Sequence, residues 1–398
     1  LSGPAIVGEA AGYKFKTVAG FNMASVIKKW KWGLSVGLLI TGILFWSPLS
    51  DLVFSVRLLL SLQKLASGAT GEDLAVEETK INGQTDSKAY EALLYRSSKL
   101  RATEAVIVVP GLSELGCYHP RLVAFSRFLA DRGLIVITPD IREFRNFQIT
   151  AEPIEQILFW YKQAKALEEG RIKKIGLAGI SYSGTLALMT AARPEIRDSV
   201  AFVVAIGPYY DLLRCTRGWF HTEPADSRGE YYPTKFYARW IIMLSALDLI
   251  PEIKDRLFLH DELELLLLQQ KVRPPGFELT PEGLRWHALA TQRTGQSDQE
   301  LAHKIEQYLV ERVYPQLDPK QVLDGVHCPV FLIHGAYDDL IPPTESMELN
   351  RRVSHSYLLV SPFLTHTHPN VIPLSPIQKA GAVLDTLDFC YQFSRVIR

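Results

Sequence analysis

Cysteine is scarce in this chain and scattered along it. The 398 residues contain four, Cys117, Cys215, Cys328 and Cys390, with no C-x-x-C pair, which argues against a zinc site and against a disulfide scaffold. A glycine-rich phosphate loop and an H-E-x-x-H motif are also missing, so no metal and no cofactor is expected. Neither sign of charge is in excess: 43 Lys and Arg balance 43 Asp and Glu. The basic residues are dispersed and leave no electrostatic footprint for nucleic acid. Apolar residues, by contrast, make up 47% of the chain. That is ample for one large core plus an insertion.

The most informative stretch is Gly179-Ile180-Ser181-Tyr182-Ser183-Gly184. It follows the β-prone run Lys174–Ala178 and leads into Thr185–Ala192, rich in alanine and leucine, which gives a strand, a sharp turn and a helix. A serine at such a turn stands clear of the sheet on a strained backbone, and small neighbours give it room. These residues resemble the nucleophile elbow of the α/β-hydrolase superfamily. The match to G-x-S-x-G departs at Ser183, with Gly184 following at once. The variant G-x-S-Y-x-G is similar to elbows in the X-Pro-dipeptidase-like and cocaine-esterase-like branches.

A serine hydroxyl needs a general base, and the base needs a carboxylate to hold its tautomer. The resemblance implies the chain order Ser, acid, His. Pro329–Pro343 contains an apolar strand opening into His334-Gly335-Ala336-Tyr337-Asp338-Asp339-Leu340-Ile341-Pro342. This is similar to the family's H-G-x-x-D-x-x-[VI]-P acid loop and puts Asp338 in the acid position. The plainer alternative has Asp338 capping the helix that starts near Pro343. Asp339 is the neighbouring candidate, and Asp211, after the preceding strand, a remoter one. Beyond a last strand ending near Val360 comes Ser361–Pro369, with two histidines competing as base. His366 is favoured, because Pro369 and Asn370 turn the chain away at His368, which remains the alternative. His334 and His327 are read as structural. The oxyanion of a tetrahedral intermediate needs preorganised N–H donors. Tyr182, directly after the nucleophile, supplies one. By analogy Leu112, after Ala105–Val109 and Pro110-Gly111, supplies the other, although Pro-Gly after a strand is also an ordinary turn.

From about residue 75 strand and helix patterns alternate, which predicts a mostly parallel sheet with helices on both faces. Strands are expected near Ala89–Tyr95, Ala105–Val109, Leu134–Thr138, Ile172–Gly179 and Val200–Gly207, with helices at Pro120–Asp131, Ala151–Glu169 and Ser375–Val396. Pro139–Phe144 resembles the family's P-D-x-R-x-F loop, whose acid is commonly structural. Residues 212–324 break the alternation with helix-like runs at Phe236–Ile250, Asp261–Lys271 and Asp298–Val313. They are read as a mainly helical cap inserted between core segments 71–211 and 325–398. The rings of Tyr209, Tyr210, Trp219, Phe220, Tyr231, Tyr232, Phe236, Tyr237 and Trp240 line an apolar acyl pocket on one reading and form the cap's own core on the other.

Residues 1–70 form an apolar amino-terminal segment. The chain begins at Leu1, and Met23 is a candidate start. After Lys28, Lys29 and Lys31 come eighteen residues without a formal charge, Gly33–Ser50, flanked by Trp30, Trp32 and Trp46. That length is near the lower limit for spanning a bilayer. The expectation is a single retained membrane anchor with the catalytic domain on the extracytoplasmic side. The alternative is a cytoplasmic protein whose apolar arm docks on its own domain or on a second subunit. Residues 51–65 suit a helix at the interface or packed on the body.

The resemblance implies a serine hydrolase of carboxylic esters, with a small-molecule ester or acyl compound as substrate. A prolyl-type serine peptidase, an acyltransferase and a catalytically silent binding module are the alternatives. The lack of room for a β-propeller counts against the peptidase.

Overall fold

The computed structural model describes residues 51–53, 55–57, 60, 68–220, 236–271, 274, 277–291, 298–338, 340–364 and 374–397. The chain divides into two compact units, Leu1–Leu52 and Val53–Arg398. Core and cap therefore share the second.

An eight-stranded sheet organises that unit, in the order β1-β2-β4-β3-β5-β6-β7-β8. The strands are β1 (Val76–Gln84), β2 (Ala89–Ser97), β3 (Glu104–Val109), β4 (Leu134–Asp140), β5 (Lys174–Ile180), β6 (Val200–Ile206), β7 (Val330–Gly335) and β8 (Ser356–Ser361). β2 runs antiparallel to β1 and to β4, and the six strands from β4 to β8 are parallel. Alternation along each strand divides the side chains between two cores. Ile107, Val109, Ile137, Leu177 and Val203 face one way. They pack with Ile157 of α2 (Pro153–Ala164) and Leu186 of α3 (Tyr182–Ala191). Val106, Val108, Val136, Ala178 and Phe331 face the other. There they meet Leu122 of α1 (Pro120–Asp131) and Phe389 of α10 (Pro376–Ile397). Strands buried on both faces read as continuous apolar runs, which is why the sequence located them.

β1 has no such signal. Its sequence, VEETKINGQ, is charged and mostly exposed, as befits an edge strand that must discourage further pairing.

The cap comprises α4 (Leu212–Phe220), α5 (Phe236–Ser245), α6 (Ile253–Leu267), α7 (Pro281–Thr291) and α8 (Gln299–Arg312). The sequence reading started α6 eight residues late and missed α4 and α7. Gly283 lies in the first turn of α7. A Cβ there would come within 2.3 Å of the Asp255 carboxylate, which accepts the Thr280 N–H at 3.1 Å, while the Thr280 hydroxyl accepts the Gly283 N–H at 3.1 Å and caps the helix. Glycine makes room for the cap.

Among the described residues no helix is long and apolar enough to cross a membrane, and the run Gly33–Ser50 lies outside them. Just beyond it, Ser55 is buried with its hydroxyl 3.4 Å from Ser394 Oγ on α10. Val53, Val56 and Leu60 are exposed.

Candidate active site

The carboxyl ends of the parallel strands deliver the singled-out residues to one edge of the sheet. Register pairs Val109 with Gly179, Ile180 with Ile206, Ile206 with Ile333 and Gly335 with Ser361. The turns carrying Leu112, Ser181 and Asp338, and the chain leading to His366 and His368, all issue from that edge. Crevices at the carboxyl ends of such strands are where open α/β sheets bind ligands.

Ser181 lies between β5 and α3 with φ 59° and ψ −130°, a left-handed backbone that a non-glycine residue adopts only under constraint. The constraint is visible. The Ser181 N–H donates to the Ile206 carbonyl at 2.6 Å. A Cβ at Gly179 would meet the Ser183 carbonyl oxygen at 2.2 Å, so only glycine allows the chain to double back so tightly. Ser181 is partly exposed while every residue of α3 is buried.

Ser183, the departure from the usual pattern, is fully buried. Its Oγ accepts the Ile180 N–H at 2.8 Å. Its single proton has the Val109 and Ile180 carbonyls, at 3.1 and 2.9 Å, as alternative acceptors. The hydroxyl therefore ties the elbow to β3. Ser183→Ala is expected to lower stability by about 1–3 kcal/mol, the cost of stranding a buried donor, and to leave serine-probe labelling per folded molecule unchanged. Chemical denaturation beside labelling with a fluorophosphonate checks both.

Tyr182 follows as the first residue of α3, where N–H groups have no intrahelical partner. Its ring is buried, stacks on Tyr209 at 5.8 Å and donates its hydroxyl to the Thr150 carbonyl at 2.9 Å. Across from it lies the Gly111-Leu112 turn. A Cβ on Gly111 would touch the Ile180 carbonyl at 3.3 Å and the Ser181 Cβ at 3.9 Å, so the second oxyanion candidate is beside the nucleophile candidate. The following peptide is held from both sides. Ser113 N–H donates to the Phe144 carbonyl at 3.2 Å, and the Tyr237 hydroxyl, from the cap, donates to the Leu112 carbonyl at 3.4 Å.

Asp338 is 3% exposed. Its Oδ1 accepts the N–H groups of Leu340 and Ile341, both at 2.9 Å, and its Oδ2 lies 3.5 Å from His334 Nε2. The carboxylate organises its own loop and does not cap α9 (Pro343–Arg352), which has no side-chain cap. His334 is buried with both nitrogens engaged, Nδ1 with Ser346 Oγ at 2.6 Å and Nε2 with the Ile341 carbonyl at 2.9 Å. His327 pairs with Asp198 at 2.7 Å. Asp211 spends its oxygens elsewhere: Oδ1 accepts the Arg214 N–H at 3.0 Å and Oδ2 pairs with Lys320 at 2.6 Å. Burial pushes its pKa up, but the Lys320 and Arg214 contacts prevail and hold it below the ordinary value. Asp140, in the P-D-x-R-x-F segment, pairs with Arg145 at 3.3 Å. Asp339, His366 and His368 lie outside the described residues.

Sequence reasoning missed two buried tethers. Glu345 on α9 is fully buried and accepts the N–H groups of Tyr210 and Asp211 at 2.8 and 2.7 Å, with Arg214 Nη2 at 2.6 Å. It fastens the start of the cap to the helix behind the acid loop. Burial raises its pKa although Arg214 opposes the shift. Trp219 is the second: its indole N–H donates to the Leu340 carbonyl at 2.8 Å. Tyr209 likewise bonds the Leu317 carbonyl at 2.9 Å and Trp240 the Ala290 carbonyl at 2.9 Å. These rings are buried joints. With their polar ends spent on backbone, these three fit the reading of the rings as the cap's own core. Tyr231 and Tyr232 lie outside the described residues.

The profile of the alpha/beta hydrolase fold matches residues 104–363, well over half of the chain. The chain belongs to the alpha/beta hydrolase fold family. Solved structures similar to this hydrolase-fold chain include the Pyrococcus horikoshii acylaminoacyl peptidase, at 15% identity and TM-score 0.46 over 82% of this chain and 43% of that one. The esterase Est1E from Butyrivibrio proteoclasticus is 14% identical with TM-score 0.44, over 80% of this chain and 98% of its own. The Pyrococcus furiosus esterase Pf2001 is 14% identical with TM-score 0.44, over 82% and 95%. The chain thus spans less than half of the first of these. Comparison with curated proteins finds no match.

Proposed function

We propose that this alpha/beta hydrolase is a serine esterase, with Ser181 as nucleophile, His366 as base and Asp338 as its orienting acid. The observation that carries the reading is the left-handed backbone of Ser181 at a strand-to-helix turn, a strain that folds retain where it serves a reaction. Ser181 Oγ attacks the ester carbonyl carbon as its proton passes to His366. The N–H groups of Leu112 and Tyr182 stabilise the oxyanion. Collapse breaks the C–O bond, the alcohol leaves with the proton from His366, and water, activated by the same base, releases the acid from the acyl-enzyme. Labelling with a fluorophosphonate probe, followed by hydrolysis of p-nitrophenyl esters of graded length beside an aminoacyl amide, tests this. Labelling without ester turnover but with amide cleavage makes the protein a peptidase. No labelling leaves a silent binding module.

We propose further that Gly33–Ser50 is a membrane anchor, supported by eighteen residues without a formal charge behind a lysine cluster. Carbonate-washed membranes are expected to retain the full-length chain, and a chain beginning near Gly71 to be soluble and still hydrolyse esters. Recovery of the full-length chain in the soluble fraction without detergent eliminates the anchor.

A further inference from the structure

Trp219, the penultimate residue of α4, is 7% exposed and reaches the acid loop through one amide. Its Nε1–H donates to the Leu340 carbonyl at 2.8 Å. The N–H of that same peptide group, on Ile341, donates to Asp338 Oδ1 at 2.9 Å. An amide is planar, so its C=O and N–H turn together. A cap residue that grips the oxygen therefore sets the direction of the hydrogen offered to the carboxylate, and the two bonds polarise each other in a site shielded from water. Trp219 is itself held. Its carbonyl accepts Arg239 Nε and Nη2 at 3.2 and 3.0 Å, and Arg239 stands on α5, two residues from the Tyr237 that bonds the Leu112 carbonyl. One pair of cap helices thus contacts both the acid loop and the oxyanion turn.

We infer that Trp219 is a positioning residue for Asp338, acting through the Leu340–Ile341 amide, so that seating of the cap orients the acid. The inference rests on Asp338 being the triad acid. Trp219→Phe keeps an aromatic ring and removes the donor. It is expected to lower kcat on p-nitrophenyl acetate by about five- to tenfold with KM within about twofold, since an orienting contact acts on the transition state. The acid limb of kcat/KM should move to lower pH, because a base with a less well aimed carboxylate holds its proton less firmly. In an Asp338→Asn background the substitution should cost nothing further, the non-additivity expected of residues acting as one unit. Wild-type kcat and pH profile in Trp219→Phe, or fully additive losses in the double variant, overturn the inference. Asp338→Asn with wild-type activity overturns the triad assignment itself, a distinct result. If Trp219→Phe does not fold, β-(3-benzothienyl)alanine at position 219 exchanges the N–H for sulfur at nearly constant shape and makes the same measurement.

Discussion

Ser181→Ala is expected to abolish both fluorophosphonate labelling and ester hydrolysis while leaving the fold intact. The serine is partly exposed, so removing its oxygen creates no cavity of consequence. The elbow is held by backbone and Ser183: the Ser181 N–H donates to the Ile206 carbonyl and the Ser183 hydroxyl accepts the Ile180 N–H. Loss of a triad nucleophile typically lowers kcat by about six orders of magnitude, which places the variant at background. The melting temperature should move by no more than a few degrees, because no mechanism of large destabilisation applies. Labelling that survives in Ser181→Ala and disappears in Ser183→Ala would shift the elbow by two residues. The buried hydrogen bonds of Ser183 argue against that register.

His366→Ala is expected to lower kcat by about three orders of magnitude or more, as loss of a triad's general base does, and His368→Ala far less. β8 ends at Ser361 directly beside Gly335 of β7, and β7 leads into the loop of Asp338. Strands lie about 4.8 Å apart, so the acid is one strand away from the departing chain and the Ser181 elbow three. An extended chain covers about 3.3 Å per residue. Five extended residues beyond Ser361 are long enough to span that distance, and the sequence reading favours His366 because Pro369-Asn370 follows His368. Steady-state kinetics of the two variants decides. The reverse ranking moves the base to His368 and leaves nucleophile and acid standing.

The parts of this site legible in the sequence share a physical cause. Strand β5, its sharp turn and α3 demand small residues at fixed spacing, and Gly179 and Gly184 register that demand. The acid loop announces itself because an apolar strand must end before a buried Asp can gather two N–H groups. Where local chemistry does not fix the residue type, the sequence is mute. β1 is charged because it is an edge. The need for glycine at position 283 is visible only once the Asp255 carboxylate, 28 residues earlier, is seen against it. Trp219 is left between pocket lining and cap core by its sequence, because its partner, the Leu340 carbonyl, is 121 residues away and offers only backbone. Ser183 is the subtler case: the departure from G-x-S-x-G looked like a weakened motif, and the structure makes it a cross-link between β5 and β3.

The order of strands across the sheet bears on how the molecule loses activity. β5, with Ser181 at its end, is an interior strand paired on both sides with parallel neighbours, whereas β8, from which the chain to His366 departs, is among the described residues a terminal strand paired only with β7. Sheets open from their margins, and interior strands belong to the units that yield last. The strands that lead to the proposed nucleophile and to the proposed base thus differ in local stability. On the proposed triad, mild heat or denaturant is expected to loosen the β8 end first, so that turnover fades while β5 and the Ser181 elbow remain folded.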